Sequence, residues 1–155
     1  MATILRANTG LVAAAWLGGV TGLNPAMVAS RLPSDNTTWA ASGFVTVRTT
    51  GGSSAVDYAL RQPVVTVDCW ACTLNSSKPP WGKAWHLAET IHAATNPADD
   101  AARRAVYRDL ALPGNYPQAR VMGATARSEP REAYGDAGGY AHVLLDVEFD
   151  WVELP

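Results

Sequence analysis

PVVTVDCWACTLNSSKPPWGKAWHLAETI, from Pro63 to Ile91, admits two readings, and the choice between them sets the fold. In the first, Cys69, Cys72, His86 and His92 form a zinc site, because the spacing C-x2-C-x13-H-x5-H fits a loose two-cysteine, two-histidine pattern. In the second, a buried strand leads through a proline-rich turn into an amphipathic helix. The residues favour the second. Val64, Val65, Thr66, Val67, Cys69 and Trp70 form a β-branched and aromatic run that reads as a strand. Residues three apart on a strand face opposite ways, so Cys69 and Cys72 diverge unless the chain turns sharply between them. A zinc finger also needs apolar residues behind its thiolates, and here Ser76 and Gly82 stand in their place. A redox pair belongs at the start of a helix rather than on a strand. Both cysteines therefore read as small core residues.

The helix that follows is well marked. Pro79 and Pro80 suit its entrance, where a missing N–H is harmless. Trp81, Ala84, Trp85, Ala88, Ile91 and Thr95 recur at helical spacing and predict one covered stripe, stopped by Asn96-Pro97. His86 and His92 lie about 240° apart around such a helix, too far to share a metal. HLAETIH is not the metalloprotease HExxH, and the two histidines read as surface residues.

The composition narrows the function classes. A chain of 155 residues with 48% apolar content is expected to be one domain with a true core. Its charged fraction of 17% is below the roughly 25% usual for soluble domains, as when partner subunits cover part of the surface. A net charge of −2 gives no basic footprint for nucleic acid. Two cysteines on one segment make no disulfide framework and fit a reducing compartment. Arg6 with the run Leu11–Val20 is a poor secretion signal, and no apolar run reaches the ~18 residues of a membrane span, so a soluble protein is expected.

Elsewhere, Leu5, Val12, Trp16 and Leu17 predict an N-terminal helix closed by Gly18-Gly19, and Asn24-Pro25 opens a short helix to Arg31. After a loop from Pro33 to Ser42, Phe44 to Arg48 reads as a strand. Gly51 to Ser54 reads as a loop or hairpin tip, and Val56 to Leu60 as the start of the strand that continues at Pro63. From Asn96, NPADDAARRAVYRDL has acids first and arginines last, the charge order that suits a helix dipole. The C-terminal third predicts a long hairpin with a first arm from Gln118 to Glu129, a tip at Gly135 to Gly139 and a return arm from Ala141 to Leu154. On the return arm Val143, Leu145, Val147, Phe149 and Trp151 alternate with His142, Asp146, Glu148 and Asp150, and only Leu144 breaks the pattern. Carboxylates so spaced suit a glycosidase or a metal site in principle, but a stripe paired with Arg48, Arg120 and Arg127 is the simpler expectation. With no nucleophile motif and no base with an orienting partner, no catalytic residue, cofactor or metal ligand is assigned.

The expected fold is α+β, an antiparallel sheet of about four strands with helices packed on one face and a long C-terminal β-hairpin. Trp85, Val67, Leu145, Phe149 and Trp151 are expected between sheet and helix.

The segments RQPVVTVDCWA, SSKPPWGKAWHLAETI and YGDAGGYAHVLLDVEFDWVEL resemble the tail terminator proteins of long-tailed phages that infect actinobacteria. The resemblance runs from about Val45 onward. It implies a non-enzymatic virion protein at the tail–neck junction, assembled in the host cytoplasm into a hexameric ring. That ring ends tail-tube growth and joins the tail to the neck. The implied partners are the tail tube protein on one side and the head–tail connector on the other, with DNA passing through the channel unbound. Candidate contacts beyond the subunit are the Gly51–Ser54 segment, Arg131, Glu132 and Asp136 at the hairpin tip, and Asp146, Glu148 and Asp150. The acidic stripe faces either the channel or a neighbouring subunit. The alternatives are another neck or tail ring protein, such as a connector or tube subunit, and a small cytosolic zinc-binding protein or hydrolase.

Overall fold

The computed structural model describes residues 4–54, 59–133 and 139–155. Its centre is β3, Arg61–Ala71, flanked by two antiparallel neighbours. On one side lies β2, Phe44–Ser54, with Val45 opposite Cys69 and Val47 opposite Val67. On the other lies β7, Ala141–Glu153, with Leu145 opposite Val67 and Val143 opposite Cys69. This register puts Leu144 and Val152 on one face and the alternating apolar residues of the return arm on the other. Val143, Leu145, Val147, Phe149 and Trp151 are all fully buried there.

The sheet is larger than the expected four strands, and it is not purely antiparallel. Seven strands form a mixed sheet that curls into a half-barrel, six of them in the order β1-β2-β3-β7-β5-β4 and the seventh, β6, paired with β7 off this path. The additions are short. β1, Val28–Ala29, runs parallel to β2, and β4, Arg108–Leu110, pairs with β5. The expected first arm of the hairpin, Gln118 to Glu129, is β5, Ala119–Ala126, and beyond it lies a further short strand, β6, Arg131–Glu132; both are antiparallel to β7. Strands of two or three residues are too short to show a period, so the sequence pattern did not reveal them.

The expected helix from Pro25 to Arg31 is a single 3-10 turn, Pro25–Met27, that gives way at once to β1. The expected helix through Leu110 is α3, Asp100–Val106; it is capped by Asp99, and the chain then turns extended into β4. Gly51 to Ser54 are not a loop. They continue β2 past an irregularity between Thr49 and Gly51 and pair with residues 61–64 of β3. Of the expected strand start at Val56 to Leu60, residues 56–58 lie outside the described residues, and Ala59 and Leu60 precede the strand.

Helices α1, Thr9–Gly18, and α2, Trp81–Thr95, close the concave face. Asn8 caps α1 by accepting from the Leu11 amide, which makes Asn8-Thr9-Gly10 a helix start. Leu5 is exposed and outside the helix. Trp16 from α1 meets Phe149 edge to face with ring centroids 5.4 Å apart, and its indole N–H donates to the Val106 carbonyl at 3.0 Å. The buried stripe of α2 is Ala84, Leu87, Ala88, Ile91 and Thr95. It is rotated toward Leu87 from the expected one, which leaves Trp81 and Trp85 half-buried on its flank. A second, smaller apolar cluster of Trp39, Ala40, Phe44 and Cys72 sits at one end of the sheet, apart from the main core.

Candidate functional site

The polar face of the sheet carries the densest arrangement of ionisable groups. Asp68 lies within β3, and its outward-facing side chain is only 2% exposed because its neighbours cover it. Arg48 of β2 grips it with two hydrogen bonds, Nε to Oδ2 at 2.8 Å and Nη2 to Oδ1 at 2.9 Å. From β7, His142 Nε2 lies 2.6 Å from Asp68 Oδ1. The Trp70 indole stacks on the His142 imidazole with centroids 3.8 Å apart and planes 13° from parallel. Its N–H donates to Thr46 Oγ1 at 3.0 Å.

Burial alone would push the Asp68 carboxyl up. Hydrogen bonds from His142 and Arg48 outweigh it and hold the group below the ordinary carboxylate range. An ionised Asp68 only accepts, so the Nε2 of His142 carries the proton in this contact. The hydrogen bond to Asp68 in turn raises the Arg48 guanidinium. Sequence reasoning found no base with an orienting partner; the fold supplies one in the Asp68–His142 pair. A period-two strand pattern does signal that Asp68, Trp70 and His142 share the outward face, but only the β3–β7 register shows Trp70 opposite His142. Among the described residues the neighbouring hydroxyls and thiol are engaged elsewhere or face away. The Thr46 hydroxyl is taken by Trp70, Thr66 donates to Asp146 Oδ1 at 2.8 Å, and Cys69 lies on the opposite face.

The acidic stripe continues from this cluster along β7, and each described member is engaged. Asp146 accepts from Thr66 and, at 3.3 Å, from Arg131, while its own amide donates to Ser128 Oγ at 2.9 Å. Glu148 pairs with Arg127 at 2.9 Å, and Asp150 accepts from Gln62 at 3.2 Å. Of the expected arginine partners only Arg127 binds the stripe. Arg48 is committed to Asp68, and Arg120 to Asp109 at 2.6 Å. Glu132 accepts from the half-buried Trp85 indole at 3.1 Å, which ties β6 to α2. Asp136 lies outside the described residues, as does most of the expected hairpin tip.

The cysteine–histidine quartet is not assembled. Cys69 belongs to the main core and Cys72 to the small cluster at the sheet end. His86 is exposed on α2, and His92 lies 3.9 Å from Glu129. Burial, reinforced by the charge on Asp68, pushes the Cys69 thiol far up, and burial raises Cys72 as well.

The edge of the sheet is the other notable surface. β1 covers β2 only at Val45 and Thr46. From Arg48 to Ser54 the strand is exposed, and among the described residues nothing pairs with its outer edge. That segment, RTTGGSS, contains no lysine and no proline, the residues that ordinarily discourage pairing at a free edge.

No protein-family model and no curated protein matches this chain. Among the described residues no helix is long and apolar enough to cross a membrane.

Proposed function

We propose that the protein is a virion assembly subunit of the tail-terminator type, forming a closed ring at the tail–neck junction of a long-tailed phage. The observation that carries this reading is the uncovered β2 edge from Arg48 to Ser54. An open strand edge without lysine or proline is a template for another chain, and a ring offers each subunit such a neighbour. The outer sheet face supports the same reading. Its charges are tied into pairs and one imidazole is clamped between a carboxylate and an indole, so it forms an ordered surface. The resemblance from Val45 onward supplies the remainder: a ring of six, the tail tube on one side, the connector on the other, and a channel that lets DNA pass. In that setting Asp146, Glu148 and Asp150, held by Thr66, Arg127, Arg131 and Gln62, form a rigid acidic surface at the channel or between subunits.

Negative-stain electron microscopy of the purified protein tests the reading directly, with rings expected. Thr49→Lys with Ser53→Lys places charge on the exposed edge without touching the core. The variant should remain a folded monomer that builds no rings. Rings from the charged variant would remove the edge from the interface; a wild type that is monomeric at every concentration would refute the assembly reading itself.

A further inference from the structure

The C-terminus of α1 and the facing sides of α2 and α3 enclose an open groove of about 630 Å³, within the range of roughly 300–1,000 Å³ typical of small-molecule sites. Its walls are mostly small and apolar, formed by Trp16, Val20, Ala94 and Ala105. One charge lines it, that of Arg108. This guanidinium lies 4.6 Å above the Trp16 ring, and its Nη2 donates to the Trp16 carbonyl in the last turn of α1 at 2.9 Å. Its buried Nε has no hydrogen-bond partner, and among the described residues no carboxylate pairs with it. Most of the other arginines whose contacts are described hold a carboxylate, so the contrast lies within one molecule. Burial accordingly depresses the Arg108 guanidinium with nothing to offset it.

Gly19 supports the same reading. Its φ of −95° is open to any residue, so the backbone does not call for glycine. A β-carbon there would collide with Nη1 of Arg108, so the missing side chain is what lets the guanidinium lie against the groove wall. A lone cation in an apolar recess attracts an anion, and a planar guanidinium prefers a carboxylate. The apolar walls select for hydrocarbon on the rest of the ligand. The groove is also short: α3 is seven residues long, about 10 Å, too little to seat a partner helix along its length.

We propose that this groove binds a small organic monocarboxylate, its carboxylate on Arg108 and its hydrocarbon body against Trp16, Val20, Ala94 and Ala105. The inference is independent of ring formation. Isothermal titration calorimetry with octanoate tests it, with octanol and octylamine as controls. Octanoate should bind one site per chain and weaken as salt is raised, while the controls bind at least tenfold more weakly. Arg108→Met should lose at least tenfold in octanoate affinity. Because Arg108 also caps α1, Ala105→Trp is the second variant: it fills the groove from an exposed position, and the folded protein should lose octanoate binding. Absence of saturable octanoate binding by the wild type overturns the proposal. So does undiminished binding by folded Ala105→Trp, or octanol binding as tightly as octanoate.

Discussion

Replacing Asp68 by asparagine isolates the charge at the centre of the outer sheet face, since the side chain keeps its shape. The wild-type carboxylate accepts two bonds from Arg48 and one from His142 while almost wholly covered. Hydrogen bonds to charged groups contribute about 1.5–3 kcal/mol each in favourable cases. Arg48 is 58% exposed, so solvent screens its share, and we count the three contacts as about 2–3 kcal/mol in all. For a chain of this length, 1 kcal/mol shifts Tm by roughly 2–4 °C, so Asp68→Asn should melt about 4–12 °C lower. The pH dependence supplies a sharper signature. A carboxyl held below its unfolded value contributes stability that is fully present above about pH 4, the unfolded value, and is lost as pH falls through the folded one. Urea titrations at pH 7 should therefore separate wild type from Asp68→Asn, and the gap should close below about pH 4. A gap of constant size down to pH 2, or no gap at pH 7, would refute the assignment of the stabilisation to the ionised carboxylate.

Three further outcomes follow from the packing. Phe149→Ala should cost about 3–5 kcal/mol, because the ring is fully buried against Trp16; unchanged urea stability would contradict the placement of the core. Trp85→Phe should cost only about 1–2 kcal/mol, since the indole is half-buried and loses one bond to the exposed Glu132; a loss above 4 kcal/mol in the same assay would show it to be a core residue. In native protein at pH 8 the Cys69 thiol should resist an aromatic disulfide reagent until urea unfolds the chain, because it is buried and its ionisation is pushed far up; rapid native labelling by mass spectrometry would count against this.

What the sequence revealed, it revealed through length and period. The alternation from His142 to Trp151, broken only at Leu144, placed β7 and its buried face, and the β-branched run placed β3. Helix α2 was legible from the prolines at its start and Asn96 at its end, yet its stripe was misphased because Trp81 and Trp85 outweighed Leu87 in a count of bulky side chains. Leu87 is buried in the core, while the two indoles are only partly buried against it. β1, β4 and β6 were illegible because pairing, not local pattern, defines a strand of two or three residues. The Asp68–His142 pair was illegible for another reason. Its members are 74 residues apart, and only the register between β3 and β7 makes them neighbours.

The small apolar cluster at the sheet end has a dynamic consequence. Trp39, Ala40, Phe44 and Cys72 pack together apart from the main core, and the Trp39 indole N–H is buried without a partner. Lys83 ties the segment to α2 through the carbonyls of Ala40 and Ala41 at 3.0 and 2.9 Å. A patch with its own small core, separate from the main one, can detach while β3 and β7 stay paired, as a cooperative unit of its own. Amide protons of residues 35–43 would then exchange with solvent well before those of the central strands. That end of the molecule would be free to reshape around whatever it meets, while the rest keeps its form.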